Sequence, residues 1–440
     1  MNLDSKFDHK RTMPFISTQL YRWLIWGFAA AFFFTEYLAR VAPSVMAVQL
    51  MRDFSITASD FGMLSGFFYY AYVAMQLPVG SLVDRFKPHL LLGITAMISA
   101  LGCYIFAISH SFYLAAFGRF LTGFSGAFAF IGALKIATEW FPAHYLGLLA
   151  GTTQALGMLG AACGESAVSY AVEYLGWRPT MITTGHALAL IGIALLFCRR
   201  KPSQAKINDD NTNKQQSNLF TGLSLVLSNP QSWINGLFAG LIFAPTGAFS
   251  EVWGPTYLYH VRHIPEHSAT LINLVVFLGW ALAGPVIGQW SDKLQKRKPF
   301  LFFSALGSFI TLTALLYWPD LSVQTLLFIA FSYGLFNTGL VCSYAIAAEI
   351  NPSHASGVSM AFANMASVII GVIFLPVIGY LLDFQWHGKL DQGIRAYSSI
   401  AYEWSMLALP ACLLLAMMVS LFVKETACKP YDQNKSKDAA

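Results

Sequence analysis

Apolar residues run along this chain in long blocks. Twelve blocks, at about 22–48, 59–82, 89–108, 112–136, 146–171, 178–198, 231–258, 268–291, 299–318, 322–346, 355–382 and 400–423, each approach or exceed the roughly 18 residues that carry a helix across a bilayer. A barrel strand would alternate apolar and polar residues, and no such period is present. The pattern therefore predicts helices. The one long polar interruption, from Arg199 to about Gln216, divides the blocks six and six. The prediction is an all-α integral membrane protein of twelve transmembrane helices in two pseudo-symmetric six-helix bundles. The first bundle covers 1–200, a cytoplasmic linker 201–230, and the second bundle with a cytoplasmic tail 231–440.

Short phrases recur between the two sets. Gly80-Ser-Leu-Val-Asp84-Arg85 is echoed 208 residues later by Gly288-Gln-Trp-Ser-Asp292-Lys293, each where one apolar block gives way to the next. Glu139-Trp-Phe-Pro142-Ala-His144 returns 210 residues on as Glu349-Ile-Asn-Pro352-Ser-His354. Two related helical halves around a central cavity are the architecture of a secondary transporter.

Composition agrees. Of 440 residues, 56% are hydrophobic and 11% charged, less than half the roughly 25% of a soluble domain. With the N-terminus inside, twenty Lys and Arg fall in inner segments and five in outer loops, which predicts both termini in the cytoplasm. That bias explains the net charge of +5 without nucleic acid as a partner. The polar start predicts no cleaved signal peptide. The six cysteines show no metal or redox spacing. His263-Ile-Pro-Glu266-His267 matches a zinc-peptidase string, but Pro265 interrupts it and reads instead as the start of the eighth helix. No Walker-type phosphate loop is present. Neither an enzyme nor a bound metal or cofactor is expected.

The repeated Gly-x-x-x-Asp-Arg/Lys loop resembles the signature loop of the major facilitator superfamily, as do Arg119-x-x-x-Gly123 and Gly176-Trp177-Arg178. Within it the chain is similar to proteobacterial nutrient carriers of the intraphagosomal amino-acid transporter type, through Arg40-Val-Ala-Pro43, Glu139-Trp-Phe-Pro142, Glu251-Val-Trp253-Gly254 and Lys424-Glu425-Thr426. The resemblance implies a cavity built from helices one, four, seven and ten. It also implies that Gly80, Asp84, Arg85, Gly288, Asp292 and Arg297 gate the cytoplasmic side, the glycines by permitting close helix approach. Helix five lacks the Gly-Pro pair of the superfamily's antiporters, with Gly160 followed by Ala161, which favours uptake.

A charge inside a span needs a partner or a wet cavity. Glu36 and Arg40 in helix one, Arg119 in helix four and Glu251 in helix seven all fall on the implied cavity set. Arg40 or Arg119 can grip a carboxylate, while Glu36 and Arg40, four residues apart, can equally neutralise each other. Glu251, Glu36 and His186 are the candidate proton carriers. Tyr69, Tyr70, Asn337, Tyr344 and Asn364 complete the candidate substrate site, with Tyr72, Gln76 and Asn273 behind them. Glu165 is read as interfacial. The expected function is proton-coupled uptake of a small polar nutrient, an amino acid or related carboxylate, by a monomer in a bacterial inner membrane, with protons and membrane lipid as its other partners. The alternatives are export of an organic anion or metal-chelating metabolite, and a non-transporting membrane sensor.

Overall fold

The computed structural model describes residues 18–141, 145–198, 219–352, 355–391, 394–429 and 431. Pro142, His144 and His354 of the repeated phrase and the polar stretch 199–218 lie outside them.

Twelve long helical segments follow in order: span 1 (Thr18–Val45), span 2 (Ala58–Arg85), span 3 (Pro88–Ile108), span 4 (Phe112–Trp140), span 5 (Leu146–Leu175), span 6 (Trp177–Phe197), span 7 (Pro230–Arg262), span 8 (Glu266–Leu294), span 9 (Lys298–Tyr317), span 10 (Val323–Glu349), span 11 (Ser356–Phe384) and span 12 (Ser399–Ser420). Among the described residues eleven are long and apolar enough to cross a membrane; span 2, with Tyr69, Tyr70, Tyr72 and Gln76 in its interior, is the other. Large apolar side chains such as Ile108, Phe117, Leu190, Phe197, Phe303 and Phe328 stand exposed on the outside, as a lipid-facing surface requires. A short helix, Leu219–Ser228, precedes span 7, so that part of the stretch expected as linker is helical. Pro265 caps span 8 at the predicted place.

Turns between spans use local capping. Thr57 and Asp60 form a reciprocal capping box at the start of span 2, and Ser111, Ser322 and Ser398 each accept a backbone N–H at the start of spans 4, 10 and 12.

Three spans are not continuous α-helices; span 12 divides into Ser399–Met406 and Ala408–Ser420, and the breaks in spans 7 and 10 fall nearer the centre. Span 7 runs as Pro230–Pro245, a π-helical turn Thr246–Trp253, and Gly254–Arg262. Gly254 N–H bonds back to Phe249, five residues earlier. By the same pattern Ser250 would receive residue 255, but Pro255 has no N–H; Asn273 Nδ2 of span 8 donates to the Ser250 carbonyl instead, at 2.6 Å. Span 10 breaks between Asn337 and Leu340, where Ser304 of span 9 donates to the Phe336 carbonyl and accepts from Gly339 N–H at 2.9 Å.

We call the side holding the first residue of span 1 and the last of span 12 the terminal side, and its opposite the distal side. On the distal side the halves touch backbone to backbone. A Cβ on Gly62 of span 2 would lie 2.3 Å from the Leu375 carbonyl oxygen of span 11, and one on Gly379 of span 11 the same distance from that of Ala58. The start of span 2 is also capped from the other half: Ser59 N–H donates to Asp383 Oδ2 at 2.9 Å and Ala58 N–H to the Tyr397 hydroxyl at 3.2 Å. Tyr397 and Arg395 in turn hold Asp383 Oδ1 at 2.6 and 3.0 Å. The loop after span 11 thus reaches across the distal mouth. Its only regular structure among the described residues is a two-rung ladder pairing Leu390 with Arg395 and Asp391 with Ile394. Burial, with the hydrogen bond to Asp383, holds the Tyr397 phenol above its ordinary titration range. On the terminal side, Gly80, Gly151, Gly284, Gly288 and Gly357 of spans 2, 5, 8 and 11 meet nothing within 4 Å. The close approach expected of Gly80 and Gly288 is therefore absent, because the helix ends that would close on them stand apart here.

Candidate functional site

Four predicted charges converge at the centre, all nearly sealed: Glu36, Arg40, Arg119 and Glu251 are 1–3% exposed. Glu36 Oε1 accepts from Arg40 at 3.0 and 3.2 Å, the pairing expected for residues one helical turn apart. Space for it comes from Gly126 of span 4, where a Cβ would lie 2.5 Å from Glu36 Oε1. The Arg40 guanidinium is boxed by rings: Tyr37 at 4.1 Å, Tyr72 at 4.8 Å and Phe68 at 5.1 Å.

Arg119 does a different job. Pro43 in span 1 has no N–H to offer the Ala39 carbonyl four residues earlier. Arg119 donates there at 2.9 Å and to the Arg40 carbonyl at 3.1 Å, binding span 4 into the gap that the proline leaves. Its Nη1 and Nη2 are thus each tied to a span 1 carbonyl, so part of the guanidinium serves as a brace. Glu36 Oε2 and Arg119 Nε have no hydrogen-bond partner among the described residues.

Glu251 sits on the π-helical turn of span 7 and accepts the Tyr69 hydroxyl of span 2, a bond between the halves at mid-depth. Phe61 of span 2 packs edge-on against Trp253 beside it, centroids 5.2 Å apart. Tyr69, Phe243, Gly247, Gly371 and Leu375 line a narrow space at this level. A second polar link follows on the terminal side of it: Tyr344 donates to Asn364 Oδ1 at 3.0 Å and Asn364 Nδ2 to Gln76 Oε1 at 2.9 Å. Tyr344 and Asn364, both of the second half, are thus together, and Gln76 of the first half joins them.

The remaining candidates divide. Asn337 is buried but fully engaged as a brace, donating to the Ile242 carbonyl at 2.9 Å and accepting from Thr246 at 2.8 Å and Trp280 at 3.2 Å. Tyr70 is 41% exposed and turns away from the charges its neighbour Tyr69 approaches. His186 is exposed on the outer face of span 6, edge-on to Tyr104, so it is not a relay deep in the bundle. Helical rotation, invisible in the composition of a span, decided both. Glu165, read as interfacial, is fully buried against Ser44, whose hydroxyl it accepts at 2.7 Å.

Among the described side chains, the gating candidates that form a cluster are those of the second half. In the second half Arg297 pairs with Asp292 and with Glu349, both at 2.8 Å, and donates to Ser291 at 2.9 Å. Glu425 accepts the Arg297 and Lys298 backbone N–H groups. Burial works against the Arg297 charge, but the hydrogen bond and charge of Glu349 outweigh it and hold the guanidinium above its ordinary range. In the first half Arg85 is exposed, and the Asp84 side chain lies outside the described ones. A cavity of about 410 Å³ near this cluster, between Asn229, Gln231, Glu349, Asn351 and Lys424, is on the terminal surface, remote from the central charges. No group of three or more metal-ligating side chains occurs among the described residues; His267 of the peptidase-like string pairs with Glu173 at 2.9 Å.

Duplicated six-span halves with charges at their junction define a membrane transport scaffold. The sequence profile of the Major Facilitator Superfamily matches residues 28–278 and 253–439, and the chain belongs to that family. It is 23% identical over 379 residues to a probable sulfoacetate transporter of Cupriavidus necator, covering 82% of this chain and 87% of that one. It is 24% identical over 362 residues to the membrane sensor protein UhpC of Salmonella typhimurium, covering 78% and 80%. Other relatives, from Escherichia coli, carry the names of L-galactonate, galactarate/D-glucarate and hexuronate transporters. Among solved structures, a bacterial homolog of the human lysosomal transporter Spinster superposes with a TM-score of 0.75 at 14% identity, covering 92% of this chain and 97% of that one. The likeness shows the fold. The protein is a multi-pass membrane transporter by family, with no enzyme among these relatives.

Proposed function

We propose that this chain is a secondary active transporter taking up a small organic anion together with protons, by alternating access between its two six-helix halves, 1–200 and 231–440. The observation that carries the reading is the centre itself. Arg40 in its aromatic box stands beside Glu36, Arg119 and Glu251, two positive and two negative charges that sum to zero. Protonating Glu251 leaves one positive charge in excess, and an anion restores neutrality in a place where an unbalanced charge is costly. Coupling follows because proton and anion each favour the other's entry. The sulfoacetate and sugar-acid names of relatives support anions over the amino acids suggested by the resemblance.

The distal contacts and the open glycines of the terminal side support an inward-open state. The bias of Lys and Arg supports both termini in the cytoplasm and a bacterial inner membrane. Release of the Asp292–Arg297–Glu349 cluster toward the first half's Asp84-Arg85 loop is the gating step this reading adopts.

Uptake of radiolabelled sulfoacetate, D-glucarate and L-galactonate into proteoliposomes, with and without an inward proton gradient, tests the proposal. Gradient-dependent accumulation of one of them, competed by the others and not by zwitterionic amino acids, supports it. Accumulation of an amino acid alone refutes the anion assignment. The UhpC likeness favours one further reading, a sensor, which predicts saturable binding of an anion with no flux.

A further inference from the structure

We propose that two acidic residues, Asp383 and Glu173, form a two-point latch that holds the distal sides of the two halves together. The inference rests on alternating access between the halves and adds which contacts must part when the distal side opens.

The two contacts are copies of each other. Asp383 lies in the last turn of span 11 and Glu173 in the last turn of span 5. They stand 210 residues apart, the offset of the phrases that begin at Glu139 and Glu349. Each reaches the second residue of a helix in the opposite half. Asp383 Oδ2 accepts the Ser59 N–H of span 2 at 2.9 Å, and Glu173 Oε2 pairs with His267 Nε2 of span 8 at 2.9 Å. Ser59 and His267 stand 208 residues apart, the offset of the phrases that begin at Gly80 and Gly288. Both acids sit at the C-terminal end of their own helix, where the helix dipole disfavours a negative charge. That locally unfavourable placement occurs twice, and each time the start of the facing helix compensates it. His267 also stacks on Tyr170 of span 5, ring centroids 4.5 Å apart.

The Asp383 contact is built to part. A helix start leaves four backbone N–H groups without intrahelical partners. In span 2 the Thr57–Asp60 capping box satisfies the first and the fourth, at 3.1 and 3.2 Å. The second and third, on Ala58 and Ser59, are met from the other half, by the Tyr397 hydroxyl and Asp383. When the halves separate, water takes over those two amides. The carboxylate keeps Arg395 and Tyr397, which belong to its own half, and Arg395 is itself held over the Trp386 ring at 4.6 Å. Opening therefore strands no charge. What it gives up is two hydrogen bonds and the attraction of the span 2 start. The Asp383 side chain is 13% exposed, whereas those of Glu173 and His267 are 53% and 43% exposed. The contact at Asp383 thus carries most of the hold, because an exposed ion pair contributes little.

Hydrogen–deuterium exchange of the full-length protein in nanodiscs reads the latch without any substrate. Asp383→Asn keeps the shape of the side chain and removes its charge. Exchange should rise several-fold at segment 58–66 and also at 266–276, on the other seam, while it falls at the terminal segments 80–87 and 284–296. Tyr397→Phe, which removes one of the two bonds to span 2, should do the same more weakly. Glu173→Ala should speed exchange at 58–66, which it does not touch, by a smaller factor. Combined with Asp383→Asn, the two factors should multiply, since both contacts act on one equilibrium. A rise confined to the segment beside each substitution would make the two contacts local caps and overturn the proposal, as would unchanged distal exchange in Asp383→Asn. Faster exchange on both sides overturns it too, because that marks lost packing. A rise at both distal seams with the terminal side unchanged upholds the latch and refutes alternating access. Failure of anion uptake with the full exchange pattern intact upholds the latch and sinks the substrate assignment alone.

Discussion

The two halves treat the middle of the membrane differently. In the first, three charged groups sit on spans 1 and 4, continuous α-helices, and satisfy one another or the carbonyl freed by Pro43. In the second, the corresponding spans 7 and 10 are both broken, and the break is braced by neutral groups, Thr246, Tyr333, Trp280 and Asn337. The one central charge of that half, Glu251, rides on the π-helical turn and bonds across to Tyr69. Fixed charge and deformable backbone are thus assigned to opposite halves. Desolvated charge needs geometry held within tenths of an ångström, whereas a helix that must bend needs partners that survive bending, and neutral hydrogen bonds tolerate that better than buried ions.

The largest effect should come from spoiling the fixed charge. Arg40→Lys keeps the sign but loses the planar fork that bonds Glu36 twice and stacks among three rings. Anion uptake in proteoliposomes should fall about 100-fold in kcat/KM, with the fold retained. Uptake within a few-fold of wild type would show that Arg40 is only a brace. Next in size is the link between halves. Glu251→Gln preserves a partner for Tyr69 but holds no exchangeable proton. It should abolish gradient-driven accumulation while anion counterflow persists; accumulation at the wild-type level would break the assignment of Glu251 as the coupling group.

The neutral brace should respond in stability instead. Asn337→Ala removes three buried hydrogen bonds and orphans Trp280 Nε1. A loss of about 2 kcal/mol, read from unfolding in detergent, should accompany a nearly unchanged KM. The reverse pattern, with KM raised and stability intact, would return Asn337 to the substrate site where its sequence position first put it.

That misplacement marks what the chain disclosed and what it withheld. Span number, the duplicated halves and the central four charges were legible because length, repetition and an ionisable group in an apolar block are each costly to produce by accident. Rotation about a helix axis was not, since Tyr69 and Tyr70 are adjacent and chemically alike, yet one meets Glu251 and the other faces away. Nor were partners distant in sequence: Ser44 and Glu165 read separately as a hydroxyl and an interfacial acid. The π-helical turn left a signal that could have been used. Pro245, Gly247, Gly254 and Pro255 crowd the middle of span 7, and each proline removes a helical donor.

The smallest effects should come from adding one methyl group at the centre of each half. Gly126 of span 4 borders the ion pair, and a Cβ there would lie 2.5 Å from Glu36 Oε1 and 3.0 Å from its Cδ. The carboxylate has no slack, being tied to Arg40, which is confined by Tyr37, Tyr72 and Phe68. Gly126→Ala should therefore cost about 1–3 kcal/mol as overpacking and lower uptake with it. Gly371 of span 11 borders the narrow space between Tyr69 and the deformable turn of span 7, and a Cβ there would meet Phe243 and Ala244 at 3.5 and 3.7 Å, ordinary contact distances. Removing a helical glycine stiffens the unfolded chain, so Gly371→Ala should be neutral or gain up to about 1 kcal/mol. Parallel thermal unfolding of the two variants reads the contrast directly. Equal destabilisation would mean that the second half is packed as tightly around its break as the first is around its ions, and the division between fixed charge and deformable backbone would fall.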